Sequence, residues 1–110
     1  MALTRDFKET VQARAKADTT FREGLLNEGV QLLLDGEVDA GKVLLRDYIN
    51  ATIGFEALGV RTNKSSKSLM RMFGPNGNPQ ANNLFDVIYQ IQEHEGVHLE
   101  VKAVASAELD

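Results

Sequence analysis

The sequence predicts a mainly α-helical protein built around one core. Apolar residues recur at three- and four-residue spacing along most of the chain, the 2 prolines fall within one short segment, and two-residue alternation is confined to the C-terminal tail. With 110 residues, 43% of them hydrophobic, the chain can bury one core but not two. No apolar run reaches the ~20 residues that span a bilayer. The first residues also lack the basic flank and apolar stretch of a secretory signal, so a cytoplasmic protein without membrane contact is expected. Cysteine is absent, which removes disulfides, thiolate metal cages and a cysteine nucleophile, and accords with a reducing compartment.

In order, Leu3, Phe7 and Val11 predict an amphipathic helix over residues 4–16, with Thr4 as its N-cap. A second helix starts at Asp18 or Thr19, carries Phe21, Leu25, Leu26, Leu32, Leu33 and Leu34, and stops at Asp35-Gly36. These two form an N-terminal helical hairpin, residues 1–36. Residues 37–51 read as a third helix, with Val43, Leu44, Leu45, Tyr48 and Ile49 apolar and Asp39 near its positive end. Two short helices follow, over residues 55–62 and 65–73. Asn63 suits the positive φ of a sharp turn between them, and Ser65 suits the next N-cap. The run Gly74-Pro75-Asn76-Gly77-Asn78-Pro79 must be a turn. Helical spacing resumes over residues 82–95 through Leu84, Ile88 and Ile91, and ends near Gly96.

The tail alternates as a half-buried strand does: Val97, Leu99 and Val101 on one side, His98, Glu100 and Lys102 on the other. A lone strand lacks ladder partners, so the same strand of a second copy, antiparallel across a two-fold axis, is the expected mate. Val97, Leu99 and Val101 would then form a homodimer interface, with Glu100 opposite Lys102 if the axis passes near Val101. Disorder is expected over residues 106–110. Residues 37–105 should form one compact unit with the hairpin.

Charge is distributed unevenly. The net charge of −4 argues against a polyanionic partner, but residues 57–85 carry Arg61, Lys64, Lys67 and Arg71 and no carboxylate. This block coincides with the two short helices, a candidate helix-turn-helix. Gly59 would permit a close crossing, and Leu58, Leu69, Met72 and Phe73 would form the small core between the helices. The second helix then presents Ser66, Lys67, Met70 and Arg71, with Ser65 at its start. Arginine and lysine reach guanine edges or phosphate, serine bonds either, methionine meets a thymine methyl, and helix-start amides suit a phosphate. Asn76 and Asn78 are candidates for contact with the DNA backbone.

Residues 43–101 resemble the helix-turn-helix domains of λ-repressor-type (Xre-type) transcription regulators, particularly the addiction-module antidotes, the HigA-like antitoxins. The likeness is strongest from Ser65-Ser66-Lys67-Ser68-Leu69-Met70-Arg71-Met72-Phe73 through Gly74–Pro79, followed by the helix around Leu84–Ile91 and the extended tail. It implies a λ-repressor-like bundle whose recognition helix brings Ser65, Ser66, Lys67, Met70 and Arg71 into the major groove. It also implies a repressor of transcription with double-stranded DNA and a toxin protein as partners. Asn63 stands where the family often has glycine, and Lys64 where it usually has an apolar residue. The hairpin is outside the shared motif. An alternative is a protein–protein module that grips a toxin or other partner through its N-terminal helices, without significant DNA binding.

Other constellations carry less. His94 and His98 are four apart, but Gly96 intervenes and no third ligand is evident, so no metal is expected. The glycines of the turn lack the Lys-Ser/Thr ending and preceding strand of a phosphate cradle. The serines near Ser65 follow no strand and have no histidine beside them in sequence. Neither an enzyme nor a cofactor is expected.

Overall fold

The computed structural model describes residues 5–106, with side chains from Thr10 onward. Six helices are found among them: α1 (Arg5–Ala17), α2 (Thr19–Leu34), α3 (Val38–Ala51), α4 (Phe55–Thr62), α5 (Ser66–Met72) and α6 (Ala81–Glu95). Each lies within a residue or two of its sequence expectation, and the chemistry of the ends explains why. Asp18 Oδ1 accepts from the Phe21 N–H at 3.0 Å, the N-cap bond that starts α2. Arg22 in turn donates to the carbonyls of Ala15 (2.9 Å) and Lys16 (3.2 Å), satisfying acceptors left open where α1 stops. The Arg14 guanidinium lies 4.6 Å from the centre of the Phe21 ring, a cation–π contact across the same corner. At the other end of α2, Gly36 donates to Leu33 and Glu37 to Leu32, the paired bonds of a Schellman stop. Thr4, the expected cap of α1, lies outside the described residues.

The most extensive helix–helix packing is α2 against α3, and it depends on glycine. A Cβ on Gly41 would stand 2.9 Å from the Gly29 carbonyl oxygen and 2.9 Å from a Leu33 methyl, so the two helices meet where neither has a side chain. The hairpin is therefore joined to α3 by a close approach of the two backbones. One apolar cluster runs through the molecule: Leu26 from α2, Leu45, Tyr48 and Ile49 from α3, Phe55 and Leu58 from α4, Leu69 and Met72 from α5, Phe73, and Val87 and Ile91 from α6. Burying each of the larger aliphatic members contributes roughly 1.5–3 kcal/mol. No helix among the described residues is long and apolar enough to cross a membrane.

The tail differs from its expectation. No strand is present among the described residues, and residues 97–105 carry no regular secondary structure. The alternation survives at first, with Val97 and Leu99 half-buried against the chain's own core while His98 and Glu100 are exposed. A strand needs a ladder, and the single chain provides none: the Leu99 N–H goes to the Gln92 side-chain oxygen at 2.9 Å. Val97 and Leu99, expected at a dimer interface, are thus engaged within their own chain, whereas Val101 is 79% exposed. Of residues 106–110, expected to be disordered, Ser106 has a described placement and residues 107–110 lie outside the described residues.

Tyr48 gives this core a pH dependence. Its ring is 1% exposed, and loss of solvent pushes the phenol up to about 12, with Glu95 adding to the shift and Arg22 opposing it. The unfolded chain ionises first, near the ordinary value of about 10. Stability should accordingly hold up to about pH 10 and fall as pH rises toward 12. Urea unfolding across this range should show the loss in the wild type and a shallower one in Tyr48→Phe; equal slopes would refute the assignment.

Candidate nucleic-acid interface

The geometry of α4 and α5 is set by four residues. Asn63 takes the left-handed conformation (φ 57°, ψ 43°), the only non-glycine residue with positive φ among those described. Its N–H donates to Val60 at 3.4 Å and that of Lys64 to Gly59 at 2.9 Å, closing α4 in a Schellman arrangement. Ser65 then starts α5, its hydroxyl accepting from the Ser68 N–H at 3.0 Å. Gly59 is what lets the turn fold back: a Cβ there would stand 2.5 Å from the Lys64 carbonyl oxygen. Thr62, buried, sends its hydroxyl to the Leu58 carbonyl at 2.8 Å and leaves no polar atom unmatched in the crossing.

On α5 the two faces separate. Leu69 and Met72 are buried, together with Phe73 just beyond the helix, and these pack with Leu58 as the sequence spacing suggests. Ser65, Lys67, Met70 and Arg71 are exposed and Ser66 is half-buried. Met70 is 48% exposed, a large apolar side chain amid polar ones. Among the described residues, Lys64, Lys67 and Arg71 have no carboxylate within ion-pair distance. Their charge is available to a ligand.

The remaining candidates are placed less uniformly. Arg61 is exposed but reaches sideways to α6, donating to Gln90 Oε1 at 3.3 Å. Lys64 is half-buried, with its main chain against Gly59. Asn76 and Asn78 are exposed and line, with Ser68, Arg71 and Asn83, a shallow groove beside the end of α5. A second groove, formed by Gly59, Val60, Asn63, Lys64, Ser65 and Ser66, includes the exposed Glu56. That carboxylate lies one position outside the acid-free segment 57–85, and a charge count along the chain does not reveal that it faces the cationic turn.

Sequence reasoning also missed Lys42. It is 3% exposed and donates to the carbonyls of Gly74 at 3.0 Å and Gly77 at 2.8 Å, tying α3 to the turn after α5. Its signal was available: Lys42 stands three residues before Leu45 and seven before Ile49, on the apolar stripe of α3. Gly77 completes the junction, since a Cβ there would stand 2.2 Å from the Arg71 carbonyl oxygen and 2.5 Å from that of Met72. The turn is therefore flush against the end of α5.

No group of three His, Asp or Glu side chains that could hold a metal is present among the described residues. His94 Nδ1 is 2.8 Å from Glu95 Oε2, and His98 lies beyond the Gly96 stop. Comparison of the chain with protein-family models, with curated proteins and with solved structures finds no match to any of them.

The Gly59 crossing yields a direct prediction. Gly59→Ala should destabilise the protein by about 2 kcal/mol in urea unfolding, because the clash with the Lys64 carbonyl outweighs the ~1 kcal/mol helix-propensity gain. Unchanged or increased stability would show that the two helices do not meet there.

Proposed function

We propose that the chain is a sequence-specific DNA-binding regulator of λ-repressor-like architecture, acting as a repressor by occupying its operator. One observation carries the reading: α5 buries Leu69 and Met72 while its opposite face offers Lys67, Met70 and Arg71, unpaired and exposed, next to a serine-capped start. A rigid helix with cations, hydroxyls and one methionine on its free face matches the donors and apolar contact that major-groove edges and flanking phosphates accept. Lys67, Met70 and Arg71 follow the i, i+3, i+4 spacing that gathers side chains on one side. Asn76 and Asn78 would extend the contact along the backbone, and Arg61, held by Gln90, would stand at its margin.

A dimer would present two such helices to successive major grooves, ~34 Å apart. The tail supports pairing with a second copy: Val101 and Val104 are 79% and 51% exposed, and the segment is not committed to a helix. A second reading, the grip on a toxin-like protein, is favoured by one feature. Leu34, 56% exposed, and Val101 line a groove between α2 and the tail that an apolar partner segment could fill. On that reading partner binding would be indifferent to Lys67 and Arg71.

Fluorescence anisotropy with a duplex selected from a randomised pool tests the main reading. Lys67→Ala and Arg71→Ala should each weaken binding by about tenfold without unfolding the protein, since both are exposed. Glu56→Gln should strengthen it by removing a carboxylate from the phosphate-facing side. Log affinity should fall steeply with log salt, with a slope of about −0.9 per phosphate contact. Affinity that is flat in salt, or unaffected by the two cation substitutions, would defeat the proposal.

A further inference from the structure

Lys42 offers more than packing. An ammonium buried to 3% exposure is tolerated only where its hydrogens find acceptors. Here it meets the Gly74 and Gly77 carbonyls at 3.0 and 2.8 Å and the Asp39 carboxylate at 3.5 Å. Asp39 is almost wholly in solvent, so the main-chain carbonyls are the partners that fix the ammonium in place.

The consequence lies in the peptide planes. No peptide bond among the described residues is cis, so the N–H of Asn78, which shares a plane with the Gly77 carbonyl, points away from Lys42. Pro75 and Pro79 have no N–H, and that of Gly77 is taken by the Gly74 carbonyl at 3.1 Å. The Asn78 N–H has no acceptor among the described residues. Asn78 and Arg71 line the same groove, so a main-chain amide without an acceptor and an unpaired guanidinium belong to residues that border one open space. Both groups only donate, and the ligand that suits them is an anionic oxygen of tetrahedral phosphate.

We propose that Lys42 is a positioning residue for DNA recognition: by holding the Gly74 and Gly77 carbonyls it turns the Asn78 N–H outward beside Arg71 and so builds a seat for one phosphate of the DNA backbone. This rests on the DNA-binding reading above and adds to it a residue that never touches DNA. Lysine is required because a carbonyl clamp needs several donors from one buried atom. Methionine at this position would fill the space and leave the Gly77 carbonyl without its donor, while the Gly74 carbonyl keeps only the Gly77 N–H.

The test is a double-mutant cycle in duplex affinity at low salt, using a labelled mixed-sequence duplex with wild type, Lys42→Met, Arg71→Ala and the double variant. Lys42→Met should weaken binding by about tenfold. Arg71→Ala should cost much less in the Lys42→Met background than in the wild type, because the seat is already lost. Wild-type affinity in Lys42→Met, or losses that simply multiply, would overturn the inference while leaving DNA binding intact; no binding by the wild type would overturn both. NMR of the wild type covers the case in which Lys42→Met does not fold. The Asn78 amide resonance should move on adding duplex and far less with inorganic phosphate at equal phosphate concentration. An Asn78 signal that stays still with duplex, or responds equally to free phosphate, would refute the seat for a DNA phosphate.

Discussion

The candidate site depends on the approach of the Lys64 carbonyl to the bare face of α4 at Gly59, 2.5 Å from where a side chain would begin. That contact fixes how far α5 can swing. With the turn pressed onto α4, Leu69 and Met72 have only one place to go, the cluster already occupied by Leu58, Phe55 and Phe73. Phe55 and Phe73 meet with ring centres 6.3 Å apart and planes tilted by 53°, closing the cluster between the start of α4 and the end of α5. The burial of one face of α5 then leaves Lys67, Met70 and Arg71 on the other.

The same helix is restrained from its far end. Gly77 lies against the last carbonyls of α5, and Lys42 holds the turn from α3. A helix of 7 residues has too few internal hydrogen bonds to stand alone, so its order comes from these two junctions and from its buried face. The N-terminal hairpin enters the same framework through the α2–α3 contact at Gly29 and Gly41 and through Arg22, whose Nε stands 3.4 Å from Glu95 at the end of α6. The hairpin is thereby part of the same packed scaffold as α3 and α6, the elements next to the α4–α5 pair and the turn after it.

Much of this was legible in the chain because the signals are local. Asp18, Asn63 and Ser65 act on backbone groups within a few residues, so their types alone announce a cap, a left-handed turn and another cap. Gly59 and the Leu58–Leu69–Met72–Phe73 set follow from helical spacing. What escaped depends on partners far along the chain. Lys42 finds its acceptors 32 and 35 residues away, Arg61 meets Gln90 29 residues on, and Gly41 owes its role to Gly29 on another helix. The tail shows the limit most clearly: alternation specifies an extended chain with two unlike sides, but not which surface takes them, and α2 and the core receive Val97 and Leu99 before any second copy is considered. Glu56 was missed for a simpler reason, since a charge count along the sequence has no knowledge of which helix face a residue occupies.

In the proposed function, the free face of α5 lies against base edges in the major groove. Methylation interference at guanine N7 addresses it most directly, because that atom lies on the major-groove edge. With a duplex selected from a randomised pool, premethylated guanines should block binding in two clusters about one helical turn apart on the same face of the DNA. Binding indifferent to guanine N7 methylation and sensitive only to minor-groove modification would contradict the account.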